Sequence, residues 1–173
     1  MRPLIVVEQV TLDGVIEGLG PDPDLAAAAM QRATSAYLFG RRTYDKLAAY
    51  FPLQPAGDEV ADHFNSTPKY VVSRTLSWPK WQNTQVLAGD VATSVNQLKS
   101  RDIGNIVVLG SGMLVQELVA RDLVDGYRLY LHPVLLGKGR RLFSDLEQPA
   151  RLRLVDYQAT STGALVLNYS RVR

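Results

Sequence analysis

The 173 residues carry 19 Lys and Arg against 17 Asp and Glu, a net charge of +2, with 46% hydrophobic and 21% charged residues. That balance belongs to an ordinary globular protein with a sizeable core; it lacks the Lys/Arg runs of a nucleic-acid binder and any apolar run of about 18 residues that would span a membrane. Cysteine is absent, which excludes disulfides, a thiol nucleophile and cysteine metal sites, and the two histidines, His63 and His132, lie too far apart in sequence to predict a zinc site.

In chain order, Leu4–Val10 reads as a strand, apolar on both faces at first as in a covered sheet. Its apolar start, Leu4–Val7, is too short for a secretion signal and is soon followed by Glu8 and Asp13. The absence of cysteine leaves the compartment open, with a cytoplasmic location the simpler expectation. A polar loop rich in glycine and proline follows. Asp24–Ala36 holds six alanines and no breaker, which predicts a helix with Asp24 at its start. Tyr37–Phe39 is short and apolar, and Gly40 precedes a second helix in GRRTYDKL. Asp58–Asn65 predicts a short helical turn, Lys69–Ser73 and Thr84–Leu87 two strands, and Ser94–Arg101 a helix closed by Gly104.

Ile106–Leu109 is then a strand that runs through Gly110-Ser111-Gly112 into a helix, Met113–Arg121. Tyr127–Leu131 is a strand with Pro133 just beyond it, where a missing amide is tolerated. Val134–Leu136 leads into Gly-Lys-Gly-Arg-Arg. Leu152–Gln158 and Ala164–Ser170 alternate about a Ser-Thr-Gly turn and predict an antiparallel hairpin. Strands alternating with helices and closed by a hairpin imply an α/β fold of three layers: a mostly parallel twisted sheet, helices on both faces and an antiparallel edge. One domain over residues 1–173 is expected, because no repeat or linker interrupts the chain.

In such sheets ligands bind beyond the C-terminal ends of the strands. Three strand ends here carry anion-binding chemistry: Gly-Arg-Arg-Thr after Phe39, Ser-Arg-Thr after Val72, and Gly-Ser-Gly after Leu109. Backbone amides, hydroxyls and guanidinium groups are the groups that hold phosphates. The bland reading of Arg41, Arg42 and Arg74 is solvated surface. Three such ends together favour a dinucleotide or another polyphosphate, although neither GxGxxG nor a Walker GxxxxGK[ST] is present.

The pieces TLDGVIEG, FGRRTYDKL, KYVVSRT, VLGSGMLVQEL and LYLHPVLLGKGRRLF, in that order and spacing, resemble the dihydrofolate reductase-like family, and the last resembles its bacterial riboflavin-biosynthesis branch. The resemblance covers nearly the whole chain. It implies an NADPH site. Gly40, Arg41, Arg42 and Thr43 match the turn that meets the pyrophosphate and the 2′-phosphate side, and Ser73, Arg74 and Thr75 the loop around the adenosine ribose. Gly110, Ser111 and Gly112, followed by Met113 and Leu114, match the glycine pair that lies against the pyrophosphate, often with a cis peptide. Ser111 between the glycines departs from the plain Gly-Gly. Gln9 and Ile16 match backbone contacts to the nicotinamide carboxamide.

The same resemblance implies hydride transfer to a C=N or C=O group of a small heterocyclic substrate, pterin- or pyrimidine-like. Reduction also needs a proton. Asp24 matches the buried acid of the folate enzymes, but an N-cap explains it without any catalysis, and both can hold. His132 stands where the folate enzymes carry a hydroxyl; it can pair with Asp24, donate to substrate or simply wall the site. Asp13 either faces substrate or shapes a turn. The helix Asp24–Ala36 offers only Arg32 to a sugar phosphate, which argues against the riboflavin substrate itself. No metal is expected. A non-catalytic nucleotide-binding or regulatory protein, and a flavin or deazaflavin oxidoreductase, stand as alternatives. Riboflavin-type relatives commonly pair, so a homodimer through Tyr127–Leu136 and the terminal hairpin is expected.

Overall fold

The β-branched runs of the sequence become the inner strands of a sheet, and helices cross over it in the connections that follow three of the strands. In this computed structural model, which describes residues 1–19, 29–30, 33–101, 104–143, 146 and 148–173, the elements are β1 (Leu4–Thr11), β2 (Thr34–Gly40), α1 (Arg41–Ala48), a 3-10 turn (Phe51–Leu53), α2 (Glu59–Ser66), β3 (Lys69–Val72), β4 (Thr84–Leu87), α3 (Val91–Ser100), β5 (Asn105–Leu109), α4 (Gly112–Ala120), β6 (Gly126–His132), β7 (Leu152–Ala159) and β8 (Leu165–Arg171). The strands form one eight-stranded sheet in the order β4-β3-β2-β5-β1-β6-β8-β7. Pairing is parallel from β4 to β6, and β8 runs antiparallel to both β6 and β7. The hairpin and the mixed sheet therefore agree with the sequence pattern.

Alternation along the inner strands sends successive side chains to two cores. Leu4, Val6 and Val10 of β1, Leu38 of β2 and Val108 of β5 pack with Val95 and Leu98 of α3 and Leu114 and Leu118 of α4. Val7, Tyr37, Phe39, Val107 and Leu109 pack on the opposite face with Tyr44 of α1, Phe51 of the 3-10 turn and Phe64 of α2. This second core is aromatic: Phe64 stacks on both Tyr37 and Phe51 with ring centroids 4.4 Å apart. Lys69 is buried within it, and its Nζ donates to the carbonyls of Phe64 (2.6 Å), Asn65 (3.2 Å) and Thr67 (2.7 Å), closing the end of α2. Burial brings its ammonium down to about 8.

The helix expected over Asp24–Ala36 is corrected in its last turn. Thr34–Ala36 open β2, where Thr34 and Ala36 pair with Asn105 and Ile106 of β5. Alanine's helix propensity is worth a fraction of a kcal/mol per residue. It yields to a place in the sheet interior, where Ala36 is fully buried. Asp24 and Arg32 lie outside the described residues.

Candidate functional site

The site arises where β2 and β5 run side by side but lead to opposite faces. β2 continues directly into α1 on the aromatic face, and β5 turns into α4 on the other. The two connections diverge and leave a crevice beyond the strand ends, the topological switch point of an open α/β sheet. A cavity of about 490 Å³ opens there. Gly40, Arg41, Arg42 and Thr43 line one side of it; Gly110, Ser111, Gly112, Met113 and Leu114 line the other.

Both helices begin at the cavity without a side-chain cap. Gly40 is the N-cap of α1 and Ser111 that of α4, and neither helix has an acid in its first turn. The contrast with α2 and α3 is informative: there Asp58 and Asp90 accept the amides of Ala61 and Thr93, each at 2.9 Å. The first-turn amides of α1 and α4 are thus left to whatever enters the cavity, and the partial positive charge of a helix start favours an anion.

The Gly-Ser-Gly turn is built by two successive left-handed residues, Gly110 (φ 58°) and Ser111 (φ 64°). No cis peptide occurs among the described residues, so the Gly110–Ser111 bond departs from the cis geometry the resemblance implied. A Cβ on Gly110 would stand 3.6 Å from Thr43 and 3.9 Å from Glu8 Oε2, inside the crevice. Ser111 explains itself through its hydroxyl. Oγ accepts the Gly40 amide at 3.0 Å and donates to the Leu109 carbonyl at 3.3 Å, so it ties the two turns together.

A clasp covers the open side. Ile16 N donates to Arg140 O at 2.9 Å and Leu142 N to Gly14 O at 2.9 Å. Arg140 Nε donates to Glu17 Oε1 at 2.9 Å, and Ile16, Glu17 and Arg140 all line the cavity. Ile16 reaches over Gly112 so closely that a Cβ there would fall 2.2 Å from its Cδ1. Asp13 belongs to this clasp. Its carboxylate accepts the Thr11 hydroxyl (2.5 Å) and the amides of Gly137 (2.7 Å) and Leu136 (3.3 Å), and Arg141 donates to its carbonyl. The Thr11 hydroxyl, followed by the Gly137 amide, holds the Asp13 carboxyl down at about 2. That is the setting of a turn-forming carboxylate and a poor one for a proton donor.

The other expected residues are placed differently. Ser73, Arg74 and Thr75 follow β3 and do not line the cavity, although Val72 before them does. Ser73 Oγ instead accepts the amides of Thr75 (3.2 Å) and Leu76 (3.0 Å) within its own turn. Gln9 lies on β1 beside the site, its amide donating to Glu8 Oε1 at 3.1 Å. His132 ends β6 opposite Thr11 and lies outside the cavity lining. Arg41 lines the cavity but folds back to ion-pair with Asp45 at 2.8 Å.

Five cavity residues were not anticipated as site residues: Glu8, Glu17, Val72, Glu117 and Arg140. Glu8 had a signal, as a lone acid inside an apolar strand. The Glu17–Arg140 pair had none, because 123 residues separate them. Glu8 is buried, and burial, partly offset by the Gln9 amide, pushes its carboxyl up to about 8.

The sheet order, the single reversed strand and the crevice between α1 and α4 define a dihydrofolate reductase-like α/β protein. Residues 2–166 match the RibD C-terminal domain, and the chain belongs to that family. It is 32% identical over 179 residues to YyaP, an uncharacterised protein of Bacillus subtilis (strain 168), covering 97% of this chain and 94% of that one. Among solved structures it is similar to a pyrimidine reductase-like protein from Corynebacterium diphtheriae, with a TM-score of 0.74 at 14% identity over 99% and 92% of the two chains. Dihydrofolate reductase from Enterococcus faecalis, complexed with NADP(H), gives 0.68 at 13% identity over 99% and 97%.

Proposed function

We propose that this protein is a reductase that uses NADPH to reduce a C=N or C=O group of a small pterin- or pyrimidine-like heterocycle. One observation carries the reading: two uncapped helix starts, tied to each other by Ser111, meet at one cavity. The cradle fits a dinucleotide pyrophosphate. Gly110 and Gly112 remove the side chains that would fill it, and the first-turn amides of α1 and α4 supply donors. NADPH, when bound, supplies the hydride. Gly40, Thr43 and Gly110–Gly112 would hold its phosphates, and Arg42, with Arg74 beyond β3, would favour the extra 2′-phosphate. The clasp of Ile16, Glu17 and Arg140 would keep water from the reacting ring. Family membership and the fold shared with the NADP(H)-bound reductase support the same reading.

The test is calorimetric titration with NADPH, NADH and flavin mononucleotide, followed by NADPH oxidation across a panel of dihydropterins and aminopyrimidinones. NADPH is expected to bind more tightly than NADH, since a charge-assisted hydrogen bond to phosphate contributes roughly 1.5–3 kcal/mol. Equal affinities, or tighter binding of flavin, would refute the assignment.

A further inference from the structure

Glu8 is the acid that the fold places in an apolar row. Its neighbours on the same face of β1 are Leu4, Val6 and Val10, and Leu129 of β6 is its register partner. The row packs beneath α4, so the carboxyl lies under the Gly-Ser-Gly turn. One oxygen is used internally: Oε1 accepts the Gln9 amide, which lies beyond the last β1–β5 pair, Val7 with Leu109. The other is not. Oε2 has no protein hydrogen-bond partner among the described residues, lies 3.9 Å from the Cβ position of Gly110, and belongs to a residue that lines the cavity.

We propose that Glu8 is a ligand-contacting acid of this cavity, which in its protonated form donates from Oε2 to a phosphate or ribose oxygen of the bound dinucleotide and in its ionised form opposes binding. The proposal rests on the NADPH reading above and adds a residue and a proton to it. A carboxylate beside two helix starts would ordinarily be held ionised by their positive ends. Here burial prevails, and the carboxyl is pushed up to about 8, so the neutral acid is the form present near pH 7.

Among the described residues, the other charged groups of the cavity leave Glu8 without a counter-ion. From α1, Arg41 is paired with Asp45. From the clasp, Arg140 is paired with Glu17. From α4, Glu117 faces the cavity and is paired with Arg121. Arg42 also lines the cavity but forms no ion pair with Glu8. An anion arriving at Gly110–Gly112 therefore meets a neutral donor below pH 8 and a second anion above it.

The experiment measures the NADPH dissociation constant from pH 6.5 to 9.5 for the parent and for Glu8→Gln, which keeps the shape and fixes the neutral form. For the parent, affinity should be nearly level to about pH 7, about twofold weaker at pH 8 and about tenfold weaker at pH 9, following the fraction of protein still carrying the proton. Glu8→Gln should match the parent at pH 7 and stay level to pH 9.5. Lys69 titrates in the same window but is common to both proteins. In parallel, carbon NMR of protein labelled at glutamate carboxyls should show one carboxyl titrating near pH 8; this decides the matter if Glu8→Gln fails to fold. A level parent profile, the same loss in Glu8→Gln, or all glutamates titrating in the ordinary range would overturn this inference and leave the NADPH reading standing. No NADPH binding at any pH by the folded parent would overturn both.

Discussion

Ser111→Ala removes a single oxygen and should loosen both walls of the cavity. In the parent, that oxygen accepts the Gly40 amide at the head of α1 at 3.0 Å and donates to the Leu109 carbonyl at 3.3 Å. A lost hydrogen bond costs about 0.5–1.5 kcal/mol, and a partly buried amide left unpaired adds to it, so a loss of about 1.5–3 kcal/mol is expected. The left-handed backbone of residue 111 stays strained in alanine but not in glycine, a difference of about 1 kcal/mol. Ser111→Gly should therefore be more stable than Ser111→Ala by about that amount, although it loses the same two bonds. Urea denaturation followed by far-ultraviolet circular dichroism measures both, and at this chain length each kcal/mol moves Tm by about 2–4 °C. Both variants should also bind NADPH more weakly, since the two turns are no longer tied. If Ser111→Ala is as stable as the parent, or Ser111→Gly is the less stable variant, the tie between the turns is not what holds them.

Gly110→Ala places a side chain at φ 58° and should cost about 1–2 kcal/mol of stability in denaturation, while its methyl in the crevice weakens NADPH binding in calorimetry. Lys69→Met leaves three carbonyls of the α2 terminus without their donor and should cost about 3–5 kcal/mol, read by the same denaturation. The Glu8 carboxyl is raised in the folded chain, so the folded state keeps a proton that the unfolded state loses. Stability should fall between pH 4.5 and 8 by about 1.4 kcal/mol per pH unit relative to Glu8→Gln, measured as the difference between the two proteins. The β7 edge is exposed at every residue, including Val155 and Tyr157, which fits a second copy pairing there; sedimentation should give a homodimer that Val155→Lys breaks, and a single parent species of 19.1 kDa would reject it.

Much of this protein was decided within short windows of its sequence. Alternation and β-branched runs specify the strands, because side-chain period depends only on neighbours a few residues away. Gly40 and Gly110–Gly112 announced turns at strand ends, because glycine's freedom of φ is a local property. From those pieces the mostly parallel sheet and the closing hairpin could be read before any coordinates. The crevice between the ends of β2 and β5 could not be told from a third, glycine-free turn after β3. The tertiary structure decided the rest, for reasons that no window contains. Thr34–Ala36 became strand because pairing with β5 and the burial of Ala36 outweigh alanine's small helix preference. Asp13 proved to be a clasp because its partners, Leu136 and Gly137, lie more than a hundred residues away. Ser111 gained its purpose from Gly40, 71 residues earlier. The Glu8 carboxyl is pushed up only because the folded sheet and α4 bury it.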